Sequence, residues 1–94
     1  MVTTLLQPGA EGAAVRVLQE RLAALHLFPN DQMNGVYGPL TEESVRTYQL
    51  ARGIITQATD SGAGNVGPAT LHMLQQEHLE SLYRLVRAEG WKVL

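Results

Sequence analysis

The side chains best suited by type to do chemistry in this chain are amides, hydroxyls and a few carboxylates. Gln19, Asn30, Asp31, Asn34, Tyr37 and Gln49 stand in turn sequences or beside apolar helical positions. Such groups offer hydrogen bonds to a neutral or mixed-charge polar ligand, and tyrosine adds a flat apolar face. Each also has a plainer use. A glutamine beside a core stripe braces a loop through backbone hydrogen bonds, because a buried amide needs partners in either role. Asn30, Asp31 and Asn34 make a turn cluster first and a groove edge second. Tyr37 and Tyr48 serve a core as readily as they serve a stacking platform.

No nucleophile–base–orienter set is visible. Ser44, Ser61 and Ser81 lie in no nucleophile-elbow pattern. Glu42 and Glu43 suit the first turn of a helix better than an acid–base pair. His72 and His78 fall on different faces of a helix, and no His-Glu-x-x-His pattern exists. His26 reads as a helix-end residue. Asn30-x-Gln32-x-Asn34-Gly35 lacks the acidic ligands and bidentate glutamate of a calcium loop. The expectation is a non-enzyme with no metal and no cofactor.

The elements that position these groups are announced by a turn that occurs twice. Asn34-Gly35-Val36-Tyr37-Gly38-Pro39-Leu40-Thr41 is matched 29 residues later by Ala63-Gly64-Asn65-Val66-Gly67-Pro68-Ala69-Thr70. Gly35, Gly38, Gly64 and Gly67 read as structural turn residues, since glycine adopts angles that others resist. Proline after glycine marks the first turn of a helix, where its missing N–H is no loss. Thr41 and Thr70 read as local backbone partners near those helix starts.

Three helices follow from the periodicity. The first runs from about Ala13 to His26, with Val15, Leu18, Leu22 and Leu25 as its stripe. The second runs from about Pro39 to Arg52, with Leu40, Ser44, Val45, Tyr48 and Ala51 facing inward and Gly53 ending it. The third runs from about Pro68 to Ala88. Its second half, with Trp91 and Leu94 beyond, is expected to fold back on the first helix; the alternative is an apolar surface for a partner. The fold class is all-α, a compact three-helix domain with a core over 1–75 and a helical extension over 76–94.

Composition narrows the function classes. An apolar fraction of 45% with 17% charged residues describes a globular chain, not a disordered one. Net charge is −2 with dispersed basic residues, which argues against nucleic acid or an anionic membrane as partner. The chain has no cysteine, so disulfides and thiolate metal sites are excluded. No apolar run is long enough to cross a bilayer, and the N-terminus lacks the parts of a signal peptide. If the protein works outside the cell, its export signal is expected outside this sequence, or another route is used.

Leu6-x-x-Gly9-x-x-Gly12-x-x-Val15-x-x-Leu18-Gln19-x-x-Leu22 resembles the opening of the bacterial peptidoglycan-binding domain family. Asn34-Gly35-x-Tyr37-Gly38-x-x-Thr41 with Val45-x-x-Tyr48-Gln49 is similar to its central motif, and Gly64-x-Val66-Gly67-x-x-Thr70-x-x-x-Leu74 to its closing one. The likeness covers roughly residues 5–75. Asn34 and Ala63 stand where aspartate is usual, and Tyr37 and Tyr48 where phenylalanine is common.

The resemblance implies a three-helix accessory module that holds a cell-wall hydrolase on peptidoglycan, in the bacterial envelope or outside the cell. The implied ligand is a glycan strand with its stem peptides, contacted through Gln19, Asn30, Asp31, Asn34, Tyr37 and Gln49. On that reading the glutamines read stem-peptide amides. The alternative is a protein-interaction or autoinhibitory module docking through the long third helix.

Overall fold

A computed structural model describes residues 4–88. It contains three helices, α1 (Ala13–Ala24), α2 (Pro39–Ala51) and α3 (Pro68–Ala88), with a single 3-10 turn at Asn30–Gln32. The all-α expectation holds, and no strand forms among the described residues. Two isolated antiparallel bridges, which the periodicity did not announce, pair Leu6 with Val66 and Glu11 with Val36. They thread the N-terminal segment between the two repeated turns. Leu6 exchanges bonds with Val66 (3.1 and 2.8 Å), and Gly12 N–H donates to the Gly35 carbonyl at 2.9 Å.

α2 and α3 start at their prolines and α1 at Ala13, all as expected, but two ends come earlier than expected. In α1, Leu27 N–H donates back to the Leu22 carbonyl and His26 N–H to the Ala23 carbonyl, both at 2.9 Å. This is the bonding of a left-handed helix stop, and His26 takes the left-handed position with φ 63°. In α2, Gly53 takes it with φ 71°, and Ile54 N–H donates to the Gln49 carbonyl at 2.9 Å.

The core gathers Val15, Leu18 and Leu22 from α1, Val45 and Tyr48 from α2, Leu74 from α3, and Tyr37, Val66 and Phe28 from the connections. Leu40 and Ala51 are corrections: both were expected inside and both are exposed. Leu40, in the first turn of α2, is exposed and lines a surface hollow together with Phe28 and Pro29.

The second half of α3 is also a correction. It does not fold back. At 1.5 Å per residue, α3 is about 31 Å long and α1 only about 18 Å, so α3 outruns the body. Leu74 is its last buried residue, and positions 78–88 are exposed. The Arg52–Glu77 ion pair ties it down just before it leaves. Trp91 and Leu94 lie outside the described residues.

Candidate functional site

The repeat is built around two glutamines. Gln19, on the inner edge of α1, is fully buried. Its Oε1 accepts the Gly35 N–H at 2.9 Å, and its Nε2 donates to the Val36 carbonyl and the Thr41 hydroxyl, each at 3.0 Å. Gln49, on α2, is 2% exposed and repeats the pattern. Its Oε1 accepts the Gly64 N–H at 2.8 Å, and its Nε2 donates to the Asn65 carbonyl at 2.8 Å and the Thr70 hydroxyl at 3.1 Å. Each helix therefore grips the turn that launches the next one. Where Asn34 Oδ1 takes a further contact from Gln19 at 3.3 Å, Ala63 has no such group and the Gly62 carbonyl receives Gln49 at 3.2 Å.

This geometry revises two turn assignments. Thr41 and Thr70 are buried acceptors for glutamine amides, and no side-chain cap forms at the start of α2. Of the four repeat glycines, Gly35 and Gly64 have left-handed backbone, at φ 75° and 81°. Gly38 has φ −101°, which any residue adopts, and a Cβ there would meet nothing. At Gly64 a Cβ would lie 2.7 Å from the Glu42 side chain, so the close approach of this turn to α2 adds to the backbone demand.

The two tyrosines are core residues. Tyr37 donates its hydroxyl to the Gly64 carbonyl at 2.5 Å, joining the first turn to the second. Burial, helped by the Glu42 charge, raises its pKa well above the ordinary phenol value, so it stays a neutral donor. The Tyr48 ring lies under the Arg52 guanidinium, 4.9 Å from its centroid. Its hydroxyl is enclosed with no hydrogen-bond partner among the described residues. Burial first, then the Glu77 charge, pushes its pKa up to about 12.

The remaining candidates lie on the surface, in two separate places. Asn30 borders an open hollow of about 530 Å³ whose lining includes the apolar Phe28, Pro29 and Leu40, the hydroxyls of Ser44 and Thr47, and His26 and Glu43. Asp31 is exposed on the same 3-10 turn. Asn34 lies in another recess with Glu11, Gly12 and Arg16. Its Oδ1 also accepts the Val36 N–H at 3.0 Å. Gln49 edges a third hollow at the start of α3, beside Ile54, Asn65 and Pro68. The six residues singled out in the sequence thus do not share one cleft. Gln19, Gln49 and Tyr37 spend their polar atoms inside the fold; Asn30, Asp31 and Asn34 face outward.

The hollow also contains groups that sequence reasoning passed over. Phe28, Pro29 and Thr47 line it, and none of the three was singled out in the sequence as a site residue. Among the described residues, no cluster of three or more His, Cys, Asp or Glu side chains could hold a metal ion. None of the helices there is long and apolar enough to cross a membrane.

The sequence profile of the family described as "Putative peptidoglycan binding domain" matches residues 11–74, the span holding both braced turns and the Asn30 hollow. The chain belongs to this family. Two relatives of this peptidoglycan-binding domain are N-acetylmuramoyl-L-alanine amidases. CwlH of Bacillus subtilis (strain 168) is 38% identical over 58 residues, 56% of this chain. CwlL of Bacillus licheniformis is 40% identical over 52 residues, 50% of this chain. The matches take in 23% and 14% of the lengths of those amidases. Among solved structures, the SleB N-terminal domain superposes with a TM-score of 0.66 at 27% identity, covering 82% of this chain and 97% of that one.

Proposed function

We propose that this peptidoglycan-binding domain holds bacterial cell-wall peptidoglycan without cleaving it, and so keeps an attached or partner hydrolase on the wall. The observation that carries the reading is the family match over residues 11–74, which includes every residue of the Asn30 hollow. The working location is the cell envelope or the outer surface.

The hollow suits a saccharide carrying a short peptide. Pro29 and Leu40 give an apolar floor for the C–H face of a sugar ring, while Asn30, Ser44 and Thr47 offer amide and hydroxyl hydrogen bonds around it. Glu43, whose carboxylate is paired with Arg46 at 2.9 Å, and His26 complete the polar lining beside a stem peptide. Asp31, on the same 3-10 turn as Asn30, extends the polar edge, while Asn34 offers a separate polar contact in the recess beside Arg16. Gln19, Gln49 and Tyr37 act by holding the turns rigid, not by touching ligand. So open a hollow has few enclosed anchors, so single-site binding is weak and repetition along the polymer strengthens it. Chemistry on the wall belongs to the hydrolase.

Co-sedimentation with purified sacculi tests the proposal. The wild-type domain should pellet with the wall. Asn30→Ala with Thr47→Ala should lower the bound fraction with an unchanged circular dichroism spectrum, by about tenfold in Kd if two hydrogen bonds of about 1 kcal/mol each are partly replaced by water. Folded wild-type protein left wholly in the supernatant would reject the reading.

A further inference from the structure

The first turn requires a glycine at position 35, where φ is 75° and an added Cβ would lie 3.2 Å from the Gly12 carbonyl oxygen. At position 34 it uses a single acceptor atom. Asn34 Oδ1 accepts the Val36 N–H at 3.0 Å and the Gln19 Nε2 at 3.3 Å, while Nδ2 makes no hydrogen bond among the described residues. An aspartate carboxylate supplies the same acceptor with charge-assisted bonds, and Arg16 lines the same recess. The side-chain nitrogen is thus the part of Asn34 that the turn does not use.

Asparagine is thermally labile, and most so before glycine, because no Cβ hinders the backbone nitrogen that follows it. Once hydroxide takes the Gly35 amide proton, that nitrogen attacks Asn34 Cγ. The new C–N bond closes a five-membered imide, the Cγ–Nδ2 bond breaks, and the amino group leaves as ammonia with a proton from water. Water then opens the ring at either carbonyl, giving aspartate or isoaspartate. The net change is hydrolysis of one amide, with no oxidant or reductant. The other two asparagines, Asn30 and Asn65, precede Asp31 and Val66, whose side chains crowd the attacking nitrogen.

The fold opposes the first step. Gly35 is buried, and its N–H donates to Gln19 Oε1 at 2.9 Å. Imide formation removes that proton and leaves a buried acceptor without its partner. The Val36 N–H holds the Asn34 side chain in place at the same time. The reaction therefore waits for a local opening that lifts Asn34 and Gly35 off Gln19.

We propose that Asn34 is a deamidation site gated by Gln19: the closed brace suppresses loss of the amide, opening releases it, and the aspartate formed fits the re-closed turn. Each event adds one negative charge in the recess beside Arg16. Isoaspartate adds a methylene to the main chain, displaces Gly35 from Gln19 and does not refit. None of this depends on wall binding.

Incubation of the chain at alkaline pH, well below its unfolding temperature, followed by peptide mapping in a mass spectrometer, tests it. Asn34 should be the first asparagine converted, at least about thirtyfold more slowly than in the same chain unfolded in guanidinium chloride, a ratio set by the bonds that opening breaks. Gln19→Met should speed conversion at Asn34 by roughly tenfold or more. Gln49→Met weakens the fold as much but leaves the first brace intact, so it should speed conversion by less than about threefold. Asn34→Asp, the product itself, should unfold at a urea concentration no lower than wild type. No conversion at Asn34 in the unfolded chain, equal rates folded and unfolded, equal acceleration in the two methionine variants, or an Asn34→Asp variant less stable than wild type would overturn the proposal.

Discussion

Replacing Gln49 by methionine removes one side chain from four hydrogen bonds while nearly conserving its volume. The Gly64 N–H, at 2.8 Å from Oε1, is buried and would lose its partner outright. A buried donor left unpaired costs about 1–3 kcal/mol. The carbonyls of Gly62 and Asn65 are only half-buried, so water replaces much of what they lose. The Thr70 hydroxyl is buried but can rotate. Adding about 0.5–1 kcal/mol for imperfect packing of the new side chain gives a loss of roughly 2–4 kcal/mol. A domain of this size is stable by only about 5–15 kcal/mol, so the melting temperature should fall by roughly 10–30 °C. The check is thermal and urea unfolding followed by circular dichroism. Gln49→Glu sharpens the test. A carboxylate there faces the Gly62 and Asn65 carbonyls, so its folded-state pKa is raised above the unfolded value. Its stability should therefore be greatest in acid and decline as pH rises through the folded pKa. Gln19→Met should match Gln49→Met, since the two make the same core bonds. A loss under about 0.5 kcal/mol, or a Gln49→Glu variant with no pH dependence, would refute the bracing argument.

Three further outcomes follow from particular contacts. His26→Gly should stabilise the domain by about 0.5–1.5 kcal/mol in urea unfolding, because φ 63° is strained for a side chain and free for glycine. Tyr37→Phe should cost about 1–2 kcal/mol by removing the bond to the Gly64 carbonyl, whereas Tyr48→Phe should be neutral or stabilising, since that hydroxyl has no partner to lose. The Asp60 carboxylate accepts the Thr56 and Gln57 N–H groups and the Thr56 hydroxyl, which lower its pKa below the ordinary aspartate value. The loop stability it supplies is therefore present above the unfolded pKa and lost as pH falls through the folded one. The protection factor of the Thr56 amide, its exchange rate relative to the unstructured chain at the same pH, should fall in acid, and Asp60→Asn should abolish that pH dependence.

The helices were legible because proline and apolar spacing are local signals. Pro39 and Pro68 marked two starts, and Pro68–Ala88 needed no adjustment. The early end of α1 was not legible. A left-handed stop normally advertises itself with glycine, as Gly53 does, and His26 gives no such cue. The destination of α3's second half was hidden for a different reason. Its apolar spacing is the same whether the stripe meets α1 or empty space, and only the lengths of the three helices decide. The candidate site was half legible. Asn30 and Asp31 announced a polar turn, but Gln19 and Gln49 have one sequence appearance for two roles. Their role depends on whether a turn some fifteen residues later wraps over them. Leu40 looked like core by periodicity, but in the first turn of α2 it stays exposed and lines the hollow with Phe28 and Pro29.

The most direct measurement is a titration of the isotope-labelled domain with a soluble disaccharide–peptide fragment of peptidoglycan, followed by amide chemical shifts. The account predicts fast-exchange shifts concentrated at Asn30, Asp31, Leu40, Ser44 and Thr47, with Gln19 and Gln49 side-chain amides retaining their hydrogen-bonded positions. Saturation that leaves those residues unmoved, or shifts confined to α3 beyond Leu74, would contradict it.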